Sequence, residues 1–224
     1  MSIHIESNVK DPSRIRERRQ QIVGAAVRLF AEKGFHRTTT REISRASGLS
    51  NGALYEYVKT KEDVLFLACQ HIHQEIKHEL QVTHPEGASG AYQLKRAIEG
   101  FFDVMRRMQE DILLIYQESK SLSRPYLTEV LLTEEAIAAS FRTVLEAGLR
   151  DGSLAVTEAA IPLLAEDIVV CGQMWAFRRW ALKAVSFEQF AGQQLKMLLQ
   201  ACGAPESVYN NEFVWEGTVN GDAH

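Results

Sequence analysis

Apolar residues recur three and four residues apart along most of this 224-residue chain. Spacing of this kind is typical of helices that bury one face, whereas strand-like alternation never extends beyond a few residues. The predicted helices cover residues 13–32, 40–47, 51–57, 61–81, 90–109, 111–119, 124–150, 158–184 and 187–202. We therefore predict an all-α protein.

Capping and breaker residues indicate where these helices end. Ser13 is a plausible N-cap and Gly34 a stop for the first helix, while Thr60 with Asp63 has the spacing of a capping box. The breaker-rich stretch 83–90 predicts a loop. We divide the chain into a flexible arm (1–12), a head (13–62), a body (63–203) and a tail (204–224). Several apolar residues in the tail are capable of docking: Val208, Tyr209, Phe213, Val214 and Trp215.

The stretch TTREISRASGLSNGALYEYVKTKED, residues 39–63, contains two short helical patterns on either side of Gly48. A glycine permits the positive φ of a tight reversal, and Ser50 can cap the helix that follows it. Ile43 on the first helix, with Leu54 and Val58 on the second, provides a buried stripe. This is the pattern of a helix-turn-helix.

The second of these helices is poor in charge and predicts an unusual exposed face. The exposed residues are expected to be Asn51, Gly52, Ala53, Tyr55, Glu56 and Tyr57. Asn bonds base edges, small residues permit close approach, and Tyr hydroxyls reach phosphates, so the face suits a DNA major groove. The alternative is an ordinary helical hairpin with packed tyrosines.

Charge along the chain favours the first interpretation. Residues 1–64 carry 12 Lys and Arg against 8 Asp and Glu, whereas the remainder carries 13 against 21. A basic head on an acidic body fits a protein whose head binds nucleic acid. The basic arm and first helix, whose outer face is Arg14, Arg16, Arg18, Arg19 and Arg28, predict salt-sensitive binding.

Other classes of function find little support in the sequence. Cys69, Cys171 and Cys202 lack metal-type spacing and suit buried thiols in a reducing cytoplasm. We find neither a signal peptide nor a stretch of about 18 apolar residues, so we expect a cytoplasmic protein without a membrane partner. His71, Glu75 and His78 share a helical face, but this is more often an exposed surface than a metal site. We expect no metal, no cofactor and, without a nucleophile–base pair or phosphate loop, no enzyme.

Residues 14–68 resemble the tetracycline-repressor (TetR) family of bacterial transcriptional regulators. The resemblance rests on RLFAEKGF followed by TTTREISRASGLSNGALYEYVKTKEDVL: an aromatic after the glycine, a Thr-Thr pair, the glycine turn, Leu-Tyr and Lys-x-Lys-Glu. Ser44, Ser47 and Val58 depart mildly from the family pattern. The resemblance implies an N-terminal three-helix helix-turn-helix DNA-binding domain and a C-terminal helical bundle for ligand binding and dimerisation.

The resemblance also implies roles by position. Thr40 and Arg41 begin the first motif helix and would contact phosphate, Arg41 also reaching a base. Asn51, Gly52 and Ala53 would lie at base edges, with Tyr55 and Tyr57 on backbone or bases. Lys61 would grip a phosphate, which its helix N-terminus also favours. Glu56 either faces solvent, which we favour, or accepts from a cytosine.

In the family, the last two long helices form a dimer interface and a cavity among the others takes a small ligand. A helix that is apolar on more than one face must bury more than one face, so one face can meet a second chain. Our predicted dimer residues are Ile168, Cys171, Trp175, Phe190, Leu195 and Leu198. Packing of both faces within the monomer is the alternative.

Bulky apolar residues mixed with a few polar ones indicate the ligand site. The candidates are Phe101, Phe102, Met105, Met108, Tyr116, Trp175 and Arg178. Each of these is also a reasonable core residue, and Arg106, Arg107, Arg178 and Arg179 can either hold an acidic group or remain solvated. The stretches IYQESKSL and MWAFRRWAL are similar to family members that sense acyl-CoA or fatty-acid-like effectors.

The expected function is a homodimeric repressor that binds a palindromic double-stranded DNA operator and is released by a small hydrophobic or acyl-CoA-like effector. Release would follow from a pendulum-like shift of the helix 61–81. Two alternatives stay open: an activator whose ligand promotes DNA binding, and a small-molecule-binding helical protein whose head is only a packing module.

Overall fold

The computed structural model describes residues 3–81 and 87–210, and within those ranges it contains helices and no strand. The helices are α1 Pro12–Lys33, α2 Thr40–Ala46, α3 Asn51–Tyr55, α4 Lys61–Leu80, α5 Gly90–Arg107, α6 Gln109–Glu118, α7 Arg124–Arg150, α8 Ile161–Phe177, α9 Phe187–Ala201 and α10 Glu206–Tyr209. Short 3₁₀ turns cover Ser119–Ser121 and Glu158–Ala160. The all-α prediction is confirmed. Phe213, Val214 and Trp215 of the predicted tail lie outside the described residues.

The chain forms two compact units. The head unit comprises Met1–Lys77 with Met108–Ala136, and the body unit comprises His78–Arg107 with Ile137–His224. Most of α4, all of α6 and the first part of α7 thus cluster with the helix-turn-helix, whereas the sequence division ended the head at residue 62.

Local capping explains where the helices of the head unit begin and end. Asp11 caps α1, since its side chain accepts from the backbone N–H groups of Ser13 and Arg14, so the prediction of Ser13 as the cap was wrong. Gly34 ends α1 at φ 84°, as predicted. The capping box at α4 is confirmed: the Asp63 N–H donates to Thr60 Oγ1 (3.0 Å) and the Thr60 N–H to Asp63 Oδ2 (2.9 Å).

The body unit packs α5 against α8 and α9 around a cluster of aromatic rings. Phe102 and Trp175 both contact Phe190, with ring centroids 6.0 and 5.2 Å apart. Gly172 lets α8 approach α5 closely, because a Cβ at this position would lie 2.5 Å from the Phe101 ring. These close ring contacts are typical of a densely packed protein core.

Helix α8 differs from the sequence prediction at its C-terminal end. It stops at Phe177 rather than continuing to residue 184, and successive turns follow. Within the described residues, the helical segment Glu158–Phe177 is long and apolar enough to cross a membrane by length and composition, although the sequence predicts no such stretch. About 44% of this apolar window is buried within the protein, and the core helix of a soluble protein has the same composition.

Candidate nucleic-acid interface

The α2–turn–α3 segment has the geometry of a helix-turn-helix. Thr39 and Glu42 form a capping box at α2, and bonds from Lys33 and Thr39 lower the pKa of Glu42 to about 2. Gly48 adopts φ 71° in the turn, and Ser50 Oγ accepts from the Ala53 N–H at 3.1 Å to cap α3. The predicted roles of both turn residues are confirmed.

Helix α3 is anchored by one side and offers the other to solvent. Leu54 is fully buried, as are Ile43 of α2 and Val58 beyond α3. Asn51 and Gly52 at its N-terminal end are exposed and Ala53 is half-buried. The helix is therefore slim at the end that would enter a groove.

A hydroxyl pair joins the two motif helices on their exposed side. Thr40 Oγ1, in the first turn of α2, lies 3.0 Å from the Oη of Tyr55. Tyr55 is 42% exposed, and the neighbouring Arg41 is also exposed. Thr40, Arg41 and Tyr55, the last residue of α3, thus place polar groups on the exposed side of the motif.

Tyr57 does not belong to this surface. Its side chain is 4% exposed, so the prediction that it faces outward was wrong. The sequence interpretation extended the second motif helix to residue 57, but α3 ends at Tyr55. Residues 56–58 therefore leave the helical phase, and Tyr57 turns into the core with Val58.

Lys61 is already engaged by the protein. Its Nζ donates to the backbone carbonyls of Phe35 (2.6 Å), Thr38 (2.9 Å) and His36 (3.2 Å) and lies 4.4 Å from the centroid of the Phe35 ring. Burial lowers the pKa of the ammonium, opposed by the charge of Glu118. Lys61 therefore holds the loop between α1 and α2 rather than presenting a free cation for the expected phosphate contact.

The predicted ligand residues fall into separate places. Phe101, Phe102, Met105 and Trp175 are buried in the body unit. Arg178 is exposed beside Trp180 in the body unit. Met108 and Tyr116 belong to the head unit, where Tyr116 is 66% exposed.

The aromatic core of the body unit contains a buried indole, that of Trp175. Trp175 is 4% exposed, and its Nε1 has no hydrogen-bond partner among the described residues. A buried donor without an acceptor is costly and rare.

Two clefts open elsewhere on the units. One, of about 420 Å³, lies in the body unit between the end of α7 and the start of α8, with Arg142, Glu146 and Arg150 in its wall. The other, of about 240 Å³, lies in the head unit between α4 and α7 and includes Gln70 and Glu129.

The residues predicted for a dimer interface are mostly internal to the monomer. Ile168, Trp175, Phe190, Leu195 and Leu198 are each at most 4% exposed. Cys171 is half-buried, and its thiol donates to Gln194 Oε1 at 3.0 Å. The five buried residues were therefore wrong as an outer surface, because they lie on the inner face of α8 and α9, whereas Cys171 stays a prediction.

The opposite face of the same helices carries exposed apolar side chains. Leu163 and Val170 of α8 are 67% and 59% exposed, and Met197 of α9 is 47% exposed. Leu163 and Val170 are seven residues apart, which places them on one side of the helix.

Among residues 3–81 and 87–210, no group of three His, Cys, Asp or Glu side chains is placed to hold a metal ion. His73 on α4 is buried and lies 2.9 Å from Glu134 Oε1 on α7. His73 thus bonds a carboxylate of a neighbouring helix within the head unit.

Family models match both parts of the chain. Residues 22–68 match the model of bacterial regulatory proteins of the tetR family, and residues 87–166 match the model of the tetracyclin repressor-like C-terminal domain. The first of these matches contains the whole helix-turn-helix.

Individual proteins are similar over most of the chain. The HTH-type transcriptional regulator HbdR of Aromatoleum sp. (strain CIB) is 30% identical over 208 residues, which are 88% of this chain and 85% of HbdR. The HTH-type transcriptional repressor KstR2 of Rhodococcus jostii (strain RHA1) is 25% identical, with 85% and 93% coverage. The solved structure of AibR with isovaleryl coenzyme A and operator DNA has the same fold, with a TM-score of 0.66, 17% identity and coverage of 81% and 98%.

Proposed function

Since this chain belongs to the TetR family of bacterial transcriptional regulators and binds DNA through its helix-turn-helix, we propose that it is a repressor. It acts as a cytoplasmic homodimer on a palindromic operator and leaves that operator when a small acyl-CoA-like or other hydrophobic effector binds. The observation that carries the proposal is α3 itself, whose N-terminal end is slim and exposed and whose last residue, Tyr55, bonds Thr40 of α2.

The proposed reading surface follows from the exposed groups of α2 and α3. Asn51 bonds a base edge, while Gly52 and Ala53 allow the backbone to come close and meet thymine methyls. Thr40, Arg41 and Tyr55 contact phosphates and fix the helix in its register on the duplex. Tyr57 supports this surface from the core, and Lys61 supports it through the α1–α2 loop.

We propose that a second copy of the chain covers the outer face of α8 and α9. Leu163, Val170 and Met197 give this face apolar groups that an isolated protomer leaves in water. A twofold dimer presents two identical reading helices, which matches the symmetry of a palindrome.

The aromatic core of the body unit is the proposed place for the effector's apolar part. Phe101, Phe102 and Met105 provide soft, bulky packing, and the buried Nε1 of Trp175 offers a donor to a carbonyl oxygen of the kind a thioester carries. The AibR structure contains isovaleryl coenzyme A and operator DNA, and KstR2 is a transcriptional repressor. An activator remains the alternative, since the sign of the effector depends on which DNA-binding state it favours.

Capture of genomic fragments by the purified protein, followed by sequencing, tests the proposal. The wild type should enrich a few palindromic sites. Tyr55→Phe removes only the hydroxyl and should weaken binding to an enriched site by about fivefold, a loss of about 1 kcal/mol. Tyr92→Phe is the matched control, because Tyr92 is 39% exposed on α5 in the body unit. Equal capture of every fragment by wild type and Tyr55→Phe would contradict the proposal.

The dimer is tested separately by analytical ultracentrifugation. Val170→Glu should shift the protein toward monomer, because it places a charge on the proposed interface. Leu131→Glu is the control, since Leu131 is equally exposed (59%) but lies on α7 in the head unit. A monomeric wild type, or a Val170→Glu variant that stays dimeric, would refute this interface. Native mass spectrometry of gently purified protein would reveal a retained effector by its mass.

A further inference from the structure

The first residues of the chain lie against the head unit rather than extending from it. Ile5 is only 5% exposed although its neighbours are polar, and Ile3 is half-buried. We call residues 3–9 the N-terminal strap. This segment belongs to the predicted flexible arm, and Ile3 and Ile5 are the residues of the sequence that indicate packing.

One end of the strap bonds the C-terminal end of α3. The carbonyl oxygen of Glu56 accepts from the Ser7 hydroxyl (2.8 Å) and from the Asn8 N–H (3.0 Å). Glu56 is the C-cap of α3, where helix carbonyls have lost their helical donors. The strap therefore supplies donors to the carbonyl of Glu56 at the C-terminal end of α3.

Arg19 of α1 reinforces this attachment. Its Nη2 donates to the Ile5 carbonyl (2.7 Å), and its Nε donates to the Tyr57 carbonyl (3.1 Å). A single guanidinium thus holds the strap and the segment that follows α3 at a fixed separation.

The other end of the strap is fixed to α4 and α7. The Ile3 N–H donates to Glu129 Oε2 (2.5 Å), and Gln70 Nε2 lies 3.5 Å from the Ile3 carbonyl oxygen. Gln70 and Glu129 also line the cleft in the head unit. The strap therefore runs from the α4–α7 cleft to the end of α3, with the Lys59–Glu6 ion pair along its path.

We propose that the N-terminal strap positions α3 for operator binding by tying the end of that helix to α4 and α7. A helix of five residues has little stability of its own, so its orientation depends on the contacts that surround it. This role rests on the proposed function, in which α3 reads DNA. The strap residues that make these contacts, Ile3, Ile5, Ser7 and Asn8, are positioning residues and do not themselves contact bases.

The charge of the strap lets the proposal be distinguished from a purely electrostatic effect of deleting it. Residues 2–9 contain Glu6 and neither Lys nor Arg, so their deletion removes a negative charge from the head. Electrostatics alone would make the shortened protein bind any DNA slightly more tightly. The strap proposal requires the opposite result for the operator.

The test uses the full chain and a variant lacking residues 2–9, which retains Asp11 as the cap of α1. The probes are a duplex captured by the wild type and a random-sequence duplex of equal length. The deletion should bind the captured duplex about tenfold more weakly, while binding to the random duplex is unchanged or tighter. Amide hydrogen exchange of residues 51–57 should accelerate, with exchange in α5 and α9 unaltered.

A point variant provides the same test if the deletion fails to fold. Ser7→Ala removes the hydroxyl that bonds the Glu56 carbonyl, and His4→Ala is its control because His4 is an exposed residue of the same strap. Ser7→Ala should weaken operator binding and speed exchange in α3, and His4→Ala should do neither.

Unchanged exchange in α3 together with unchanged operator affinity would overturn the strap proposal. A wild type that captures no fragment would instead refute the proposed function. In that case hydrogen exchange, which needs no DNA, still decides whether the strap holds α3.

Discussion

Replacing Lys61 by Met should destabilise the head unit without removing a phosphate contact. The ammonium donates to three carbonyls of the α1–α2 loop, at 2.6, 2.9 and 3.2 Å. Hydrogen bonds that involve a charged group contribute about 1.5–3 kcal/mol each, but exposed carbonyls such as that of His36 regain water. We therefore expect a net loss of about 2–3 kcal/mol, which corresponds to about 4–12 °C in the thermal midpoint.

Two measurements on the same protein separate a structural role from a DNA contact. Thermal or urea unfolding reports the stability, and the slope of log affinity against log salt reports the number of phosphates neutralised. Lys61→Met should lower stability and leave the slope unchanged. Lys77→Met is the control, because Lys77 is an exposed lysine on the same helix, and it should change neither quantity.

A different outcome would refute this reasoning. If Lys61→Met keeps its stability but the salt slope falls by about 0.9, the ammonium neutralises one phosphate in the complex. The side chain would then have to leave the Phe35, His36 and Thr38 carbonyls when DNA binds, and the family-based expectation for Lys61 would be correct.

Two further predictions concern packing and pH. Gly172→Ala should cost about 1–3 kcal/mol in urea unfolding, because its Cβ would lie 2.5 Å from the Phe101 ring, whereas Gly192→Ala, with nothing within 4 Å, should not destabilise. Glu42 has a pKa lowered from 4.5 to about 2, so its carboxylate contributes stability above pH 4.5 that is lost as the pH falls through 2. The stabilities of wild type and Glu42→Gln should therefore converge toward pH 2, and a constant difference would contradict the assigned pKa.

Helix positions were predictable because their signals are local. The Gly34 stop, the Gly48 turn and the Ser50 cap each act within four residues of their position, and the structure confirms all three. The buried stripe of Ile43 and Leu54 follows from helical spacing in the same way.

Errors arose where a side chain's environment depends on distant segments or on the phase beyond a helix end. Tyr57 was assigned outward because two residues of helix were added after Tyr55. The phosphate contact of Lys61 stays a prediction, but its bonds to carbonyls more than 20 residues earlier in the chain were missed, because no local pattern reports such a contact. The strap contacts of Ser7 with Glu56 were missed for the same reason.

Helices α8 and α9 show the limit of periodicity most clearly. A helix that is apolar around most of its circumference predicts two buried faces but does not say which one faces its own chain. The larger side chains, such as Trp175 and Phe190, fill the monomer core, since burying them there removes the most apolar surface from water. The outward face is left to the smaller set of Leu163, Val170 and Met197. A dimer interface on these helices therefore has to be sought among the apolar residues that the core does not use.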